Sequence, residues 1–470
     1  MKKVFVYGDF NIFHPGHLRL LKFAKQSGDY LVVGVNSDNI SSKNISQDIR
    51  IESIKATSYV DEAFILDYPA IEYIKKNKPD IVVKGKEHEY KENLEESILK
   101  SYGGKLLFTS GDIGFASLEL LKKEFLISSS TIEHNYKYLK RHNINLKDLK
   151  NIIENFKKLN VLVIGDTIVD EYITCEPLGM SQEDPTIVVS PLFNTKFVGG
   201  AAIVASHAKT LGANVNFISV LGDDEHYDYV KDNLSDLNIN INLIKDDTRP
   251  TTLKQRFRAN NKTLLRVNHL KQHDITSDVS NDIFQYIKSI KGLDLIIFSD
   301  FSYGVLTDKL IEDISSYGKE NNILMVADSQ SSSQVGDISK FKDMSLVTPT
   351  EREVRLSLND FDSGLVVLSE KLKTKSNPKH IFTTLGAEGM MIYDSLAIDA
   401  EQTDTISPLG ETVKDVSGAG DSLLTCSSMA LCLGASIWQS AYLGSLTASI
   451  QVSRVGNIPI KKDELLKELK

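Results

Sequence analysis

Two stretches of this sequence have residue types and spacing suited to handling phosphate groups. The first is Gly8-Asp9-Phe10-Asn11-Ile12-Phe13-His14-Pro15-Gly16-His17-Leu18, which follows an apolar run at 4–7 and opens an amphipathic segment. A helix N-terminus exposes unpaired N–H groups and carries partial positive charge, so it holds phosphate. Pro15 fits a helix start, where its missing donor is not needed. Gly16 lets backbone approach a nucleotide closely. His14 and His17 can donate hydrogen bonds to oxygens that gain charge during transfer. Nucleotidyl transfer suits such a set, because the attacking group is already a phosphate oxygen and positioning and charge stabilisation do most of the work. An isolated His-x-x-His pair is more often surface or core. The strand, glycine, His-Pro-Gly-His and helix together point to catalysis.

The second stretch is Asp415-Val416-Ser417-Gly418-Ala419-Gly420-Asp421, ahead of an apolar helical segment at 422–433. Successive N–H groups at Gly418, Ala419 and Gly420 would form an anion hole for a migrating phosphoryl group. Asp421 beside them could accept the proton of an attacking hydroxyl, as a kinase requires. Taken alone, the motif reads equally well as a helix cap with Asp421 as the capping residue.

These residues need elements to place them. Apolar runs at 4–7, 31–35, 81–83 and 106–108 alternate with helically spaced segments such as 18–26 and 70–77. That alternation predicts a parallel sheet with crossover helices. A lysine-rich segment at 134–158, with Leu146, Leu149, Ile152, Ile153 and Phe156 at helical spacing, reads as a connector. A strand then starts afresh at 161–164, and more follow at 217–220, 295–298, 323–327, 346–348 and 381–384. The expected architecture is α/β throughout: a Rossmann-like domain at 1–133, the connector, and a larger α/β domain at 159–470.

Bulk properties agree with two domains. The chain has 470 residues, 41% hydrophobic and 25% charged, with no low-complexity tract. A net charge of -9 argues against a nucleic-acid coat or a membrane-surface protein. Three cysteines are too few for a disulfide framework, and a reducing cytoplasm is the simple reading. No run of about 18 apolar residues occurs, so no membrane span is expected, and residues 1–7 read as a first strand rather than a signal peptide.

Residues 1 to about 130 resemble the cytidylyltransferase-like family through the His-Pro-Gly-His signature. Val35-Asn36-Ser37-Asp38 and Pro79-Asp80-Ile81-Val82-Val83-Lys84-Gly85 extend the likeness to the nucleotidyltransferase half of bacterial heptose-phosphate kinase/nucleotidyltransferases. The resemblance implies that Phe10, Gly16 and Arg50 lie at the nucleotide, and that His14, His17 and Lys84 hold its triphosphate. Asn11 stands where the family usually has Asp. The family's closing hydroxyl-rich phosphate loop has two candidates, Phe115-Ala116-Ser117-Leu118 and the run containing Ser129 and Ser130. The second pair is preferred, although a helix cap explains those serines as well.

Residues from about 160 to 470 resemble the ribokinase-like (PfkB) sugar kinases. The matching pieces are Gly165-Asp166-Thr167-Ile168-Val169-Asp170, Gly199-Gly200-Ala201-Ala202, Ser299–Gly304, Thr348-Pro349-Thr350-Glu351-Arg352-Glu353, Thr384–Gly389 and the Gly418–Asp421 motif. The resemblance implies roles for several residues. Asp421 is the base, and Gly418, Ala419 and Gly420 form the anion hole. Asp166, Asp170, Gly199 and Gly200 lie at the sugar, and Lys254, Arg256 and Arg266 at a substrate phosphate. Thr384 and Gly386 lie at the nucleotide, and Glu353 organises magnesium. Ile203 and Thr350 stand where the family often has Asn, and Asp421 is followed by Ser422-Leu423 rather than Thr-Phe.

Together the halves resemble the bifunctional heptose-phosphate kinase/nucleotidyltransferases in swapped order. The expectation is phosphorylation of a sugar or sugar phosphate by ATP with Mg²⁺, at the anomeric hydroxyl. Transfer from ATP or CTP to a sugar 1-phosphate then releases pyrophosphate. Two alternatives stand beside it: a polyol-phosphate cytidylyltransferase fused to a sugar kinase, and one domain acting as a non-catalytic binding or regulatory module. The expected partners are small sugar phosphates and nucleotides, with pairing into a homodimer suggested only at the family level.

Overall fold

In the N-terminal part, strands that are apolar on both faces form the centre of a layered sheet, because crossover helices cover each side. The structure, a computed structural model, describes residues 2–11, 15–40, 45–85, 93–108, 132–259, 262–331, 334–397, 402–410 and 412–469. The chain divides into two compact units, Met1–Ser129 and Ser130–Lys470.

In the first unit, β1 (Lys3–Gly8), β2 (Tyr30–Asn36), β3 (Glu62–Leu66), β4 (Ile81–Lys84) and β5 (Lys105–Phe108) form an all-parallel sheet in the order β3-β2-β1-β4-β5. Alternate residues fill opposite cores. Val4, Val6, Leu31 and Val33 pack with Leu21 on one side, while Phe5, Val32 and Val82 pack with Ile74 and Leu99 on the other. The strand order reverses between β1 and β4. The carboxyl ends of these two strands therefore flank the crevice where open α/β sheets bind ligands. The helix Pro15–Gln26 starts just after β1, and the helix Ala70–Asn77 matches the segment read from spacing.

The second unit is built on a nine-stranded sheet. Its strands are β6 (Asn160–Gly165), β9 (Asn214–Leu221), β10 (Asn240–Lys245), β13 (Leu295–Asp300), β14 (Leu324–Ser329), β15 (Leu346–Val347), β16 (His380–Thr384), β17 (Met390–Asp394) and β18 (Thr403–Ile406). The order is β10-β9-β6-β13-β14-β15-β16-β17-β18, and only the last two pairings are antiparallel. A separate four-stranded sheet has the order β12-β11-β7-β8, from β7 (Thr167–Met180), β8 (Ile187–Gly200), β11 (Thr252–Ala259) and β12 (Lys262–His269). In its register Asp170, Lys254 and Asn268 stand side by side, as do Tyr172, Arg256 and Arg266. Because side chains alternate along a strand, all six share one face.

The segment at 134–158, expected to link domains, packs into this second unit. Its helices are Tyr136–Arg141 and Leu146–Asn155, and Tyr138, Leu149, Ile153 and Phe156 are fully buried in the main core. His142 stacks on Trp438 with ring centroids 4.2 Å apart and meets Asp404 at 2.5 Å. The Tyr138 hydroxyl donates to the Trp438 carbonyl at 3.0 Å. The helical spacing seen in sequence thus reflects a buried face of this unit.

Candidate active site

In the first unit the crevice between β1 and β4 holds Tyr7, Lys84 and Glu95. Lys84 Nζ lies 3.1 Å from Glu95 Oε1 and 5.7 Å from the centre of the Tyr7 ring. The Tyr7 hydroxyl donates to the same Glu95 oxygen. Burial works to raise the Glu95 carboxyl, but hydrogen bonds from Tyr7 and Lys84 outweigh it and hold the group below its ordinary value. Burial, followed by the Glu95 hydrogen bond, pushes the Tyr7 phenol well up. Lys84 therefore sits where a phosphate ligand is expected, but it already has a carboxylate partner.

Arg50 departs from its expected nucleotide role. Its side chain is fully buried. Its Nε donates to the Ile45 carbonyl at 3.0 Å, Nη1 to the Asp9 carbonyl at 2.5 Å, and Nη2 to Asp38 Oδ1 at 2.5 Å. The guanidinium thus braces the loop after β1 instead of facing a ligand. Phe10 is also buried, in a left-handed conformation (φ 46°), with its ring 5.1 Å from that of His17. Gly16 lies in the first turn of the helix Pro15–Gln26. His14, Ser129, Ser130 and the alternative loop at 115–118 lie outside the described residues.

The second unit contains a cavity of about 530 Å³, lined among others by Asp170, Gly200, Lys254, Arg256, Asp328, Gln330, Thr384, Gly386, Gly418, Ala419, Gly420, Asp421 and Asn457. Gly418 caps the helix Ala419–Cys432 in the left-handed conformation (φ 75°), and a Cβ there would lie 2.6 Å from Asn457 Oδ1. Gly418, Ala419 and Gly420 line this end of the cavity, where the first N–H groups of a helix have no acceptor within it; that of Ala419 makes a long bond, 3.4 Å, to the Val416 carbonyl. Asp421 follows in the same turn, 6% exposed. Burial, with Asp170 adding to it, raises its carboxyl to about 7 against the pull of Gln330 and Lys254. A base poised near neutral pH fits proton removal from a hydroxyl.

From β7, Asp170 enters the cavity. Arg256 Nη2 donates to its Oδ1 at 3.2 Å and Asn457 Nδ2 to its Oδ2 at 3.1 Å. Burial raises the Asp170 carboxyl, opposed by Arg256 and Lys254. Arg256 lies over the Tyr172 ring, whose hydroxyl donates to Asp415 at 2.8 Å, and Lys254 lies 5.2 Å from the Phe301 ring centre. Two cations and a carboxylate thus project from the four-stranded sheet.

The profile of the pfkB family carbohydrate kinases matches residues 158–463, more than half of the chain. The chain belongs to the pfkB carbohydrate kinase family. A cytidylyltransferase-like profile matches residues 5–135. Curated relatives named bifunctional protein HldE include those of Desulfatibacillum aliphaticivorans, 30% identical over 67% of this chain, and Helicobacter hepaticus, 31% identical over 66% of this chain. The chain spans 64% of the length of these relatives. Solved structures share the fold alone. Escherichia coli phosphofructokinase-2 in complex with substrates and products has a TM-score of 0.54 at 16% identity, covering 66% of this chain and 98% of that one. Arabidopsis thaliana ribokinase complexed with ribose and ATP has a TM-score of 0.52 at 18% identity, with the same coverage.

Within this pfkB-family unit, several expected site residues have other placements. Asp166 is not at the cavity. Its carboxylate accepts from the N–H groups of Phe301, Tyr303 and Val305 at 2.9–3.2 Å, so it fixes the loop after β13. Glu353 lies in the cavity wall, but its two oxygens accept from Ser331 N at 2.7 Å and Thr350 N at 2.8 Å. It closes a capping box with Thr350 at the start of the helix Glu351–Leu358, so these two hydrogen bonds fix the carboxylate in the cavity wall. Gly199 is absent from the lining. It admits the Asp170 carboxylate, since a Cβ there would lie 2.5 Å from Oδ2. Arg266 is exposed on β12, opposite Arg256 and outside the lining. Ile203, where the family often has Asn, is fully buried core.

Asp328, Gln330 and Asn457 were not singled out in the sequence. Asp328 had a usable signal: an acidic residue at the carboxyl end of an apolar run, the ligand-facing end of such strands. Asn457 had none, because only folding brings its loop to Asp170. No described helix is long and apolar enough to cross a membrane.

Proposed function

We propose that this protein is a two-site enzyme of activated-sugar synthesis. The second unit transfers the terminal phosphoryl group of ATP to a hydroxyl of a sugar phosphate, a heptose phosphate at its anomeric carbon being the favoured acceptor. The first unit transfers a nucleotidyl group from ATP or CTP to a sugar 1-phosphate with release of pyrophosphate. The observation that carries the reading is Asp421, buried beside the Gly418–Gly420 turn in a cavity that also presents Lys254 and Arg256. The likeness to bifunctional HldE proteins supports joining the two activities.

The chemistry follows from the groups present. Asp421 takes the proton of the attacking hydroxyl as its oxygen bonds to phosphorus. The bond from that phosphorus to the bridging oxygen breaks, and ADP leaves. N–H groups at the helix start stabilise charge on the migrating group. Among the described residues no group of three or more His, Cys, Asp or Glu could hold a metal ion. Magnesium, when bound, would neutralise phosphate charge, and Glu353 in the cavity wall is the carboxylate that would hold it, directly or through water.

Arg256 tests the acceptor's charge. Losing a hydrogen bond to an ionised group costs about 1.5–3 kcal/mol, or roughly 10–100-fold in binding. The Arg256→Ala protein should show KM for a sugar phosphate raised by about that factor, with KM for ATP within about twofold. An equal rise for the unphosphorylated sugar would contradict a phosphate role.

One observation favours a second reading for the first unit. Lys84 is held by buried Glu95, as suits a unit that binds ligands without transferring nucleotidyl groups. Pyrophosphate release distinguishes the two.

A further inference from the structure

We propose that Gln330 is a positioning residue for the base: its carboxamide holds Oδ1 of Asp421, so that Oδ2 is the oxygen that takes the substrate's proton. This rests on the kinase reading of the cavity. Gln330 Nε2 lies 3.0 Å from Asp421 Oδ1, the same side chain also hydrogen-bonds Asp328, and all three residues line the cavity.

The backbone around Gln330 is fixed from two sides. Its N–H donates to the Asp300 carbonyl at 2.9 Å, and the next N–H, of Ser331, donates to Glu353 at 2.7 Å. Just before it, Ser329 Oγ donates to Asp300 Oδ2 at 2.7 Å, and Asp300 is itself buried against Lys340 at 2.8 Å. The amide therefore approaches Asp421 from a rigid strand end. Its donor side faces the carboxylate, because the opposite orientation would set the amide oxygen against a carboxylate oxygen.

A donor is needed here. The charged groups facing Asp421 are Asp170 and Lys254 from the four-stranded sheet and Asp328 from β14. The packed helix Ile437–Val452 contains no charged residue, and the helix Ala201–Thr210 turns His207 towards the N–H of Ile460. Two carboxylates and one lysine leave burial largely uncompensated. The Gln330 hydrogen bond favours the ionised form, and it carries no charge of its own that would compete with Lys254 for anions. In the resulting step the substrate O–H bond breaks, its proton passes to Oδ2, and the oxygen attacks phosphorus as ADP leaves.

The test is the pH dependence of ADP release by the full-length Gln330→Met and Gln330→Ala proteins. The acceptor is the heptose or hexose phosphate that gives the fastest wild-type rate. Methionine keeps the length and removes the donor. A hydrogen bond to a charged group corresponds to about one pH unit or more of stabilisation. Activity needs the ionised base, so it rises with pH. The rise should move to higher pH by about one unit, with roughly a fivefold loss at pH 7 that is recovered near pH 9. A uniform loss at every pH, or no change, overturns the proposal. If wild-type protein releases no ADP with any acceptor, the kinase reading fails instead. Carboxyl-carbon NMR then reads the same contact without turnover, with the Asp421 signal assigned by its loss in Asp421→Asn. An Asp421 titration unchanged in Gln330→Met overturns the clamp, and one moved upward upholds it.

Discussion

Replacing Asp421 by asparagine should slow ADP release by about 10²–10⁴-fold, the usual contribution of a positioned base. The substitution preserves shape and the possibility of a hydrogen bond to Gln330, so the cavity should persist and KM for ATP should change little. Wild-type activity should also carry the signature of this carboxyl. Burial, then the nearby Asp170, raises it to about 7. The base works only when ionised, so kcat should fall as pH drops through about 7 and level off above about 8. The same elevation bears on stability. A carboxyl that is higher in the folded than in the unfolded chain binds its proton more readily when folded. This group therefore stabilises the fold at low pH relative to high pH. A kcat profile flat from pH 6 to 9 with an active Asp421→Asn protein would remove Asp421 from the chemistry.

The second large effect falls on the other unit. The Arg50→Ala protein should lose roughly 3 kcal/mol or more from the first unit, because the partly buried carbonyls of Asp9 and Ile45 lose their donor, Asp38 loses its ion pair and a large buried side chain is deleted. For a unit of this size that lowers its melting temperature by about 10 °C. The second unit has its own core, so calorimetry should show one transition moving and one staying. Pyrophosphate release should be lost with the moved transition while ADP release continues. Equal loss of both activities, or an unmoved transition, would contradict the bracing role.

Much of this organisation was legible. Apolar runs at 4–7, 31–35 and 81–83 became β1, β2 and β4 because parallel strands are buried on both faces and need no alternation. The Gly418–Asp421 motif became a helix start on the cavity because glycine suits the positive φ at Gly418. The four-stranded sheet was not legible. Its β7 and β8 run 14 residues each, with polar residues on both faces, since one face meets the cavity and much of the rest meets solvent. Asp166 and Asp170 looked alike as strand-end acids. Only the long-range turn of the chain gives one to the backbone at 301–305 and the other to the cavity. Arg50 misled for the same reason: one of its partners, Asp9 at 41 residues' separation, is set by packing that local spacing does not encode. The Thr350–Glu353 capping box, by contrast, is a local Thr-x-x-Glu pattern.

The most direct test of the two-site account is an assay on purified full-length protein with a panel of heptose and hexose phosphates, ATP and Mg²⁺, followed by CTP or ATP, with ADP and pyrophosphate read separately. The account predicts ADP with a heptose phosphate and pyrophosphate with the corresponding 1-phosphate. Pyrophosphate without ADP across the whole panel would contradict it, leaving a nucleotidyltransferase joined to a kinase-shaped unit with another role.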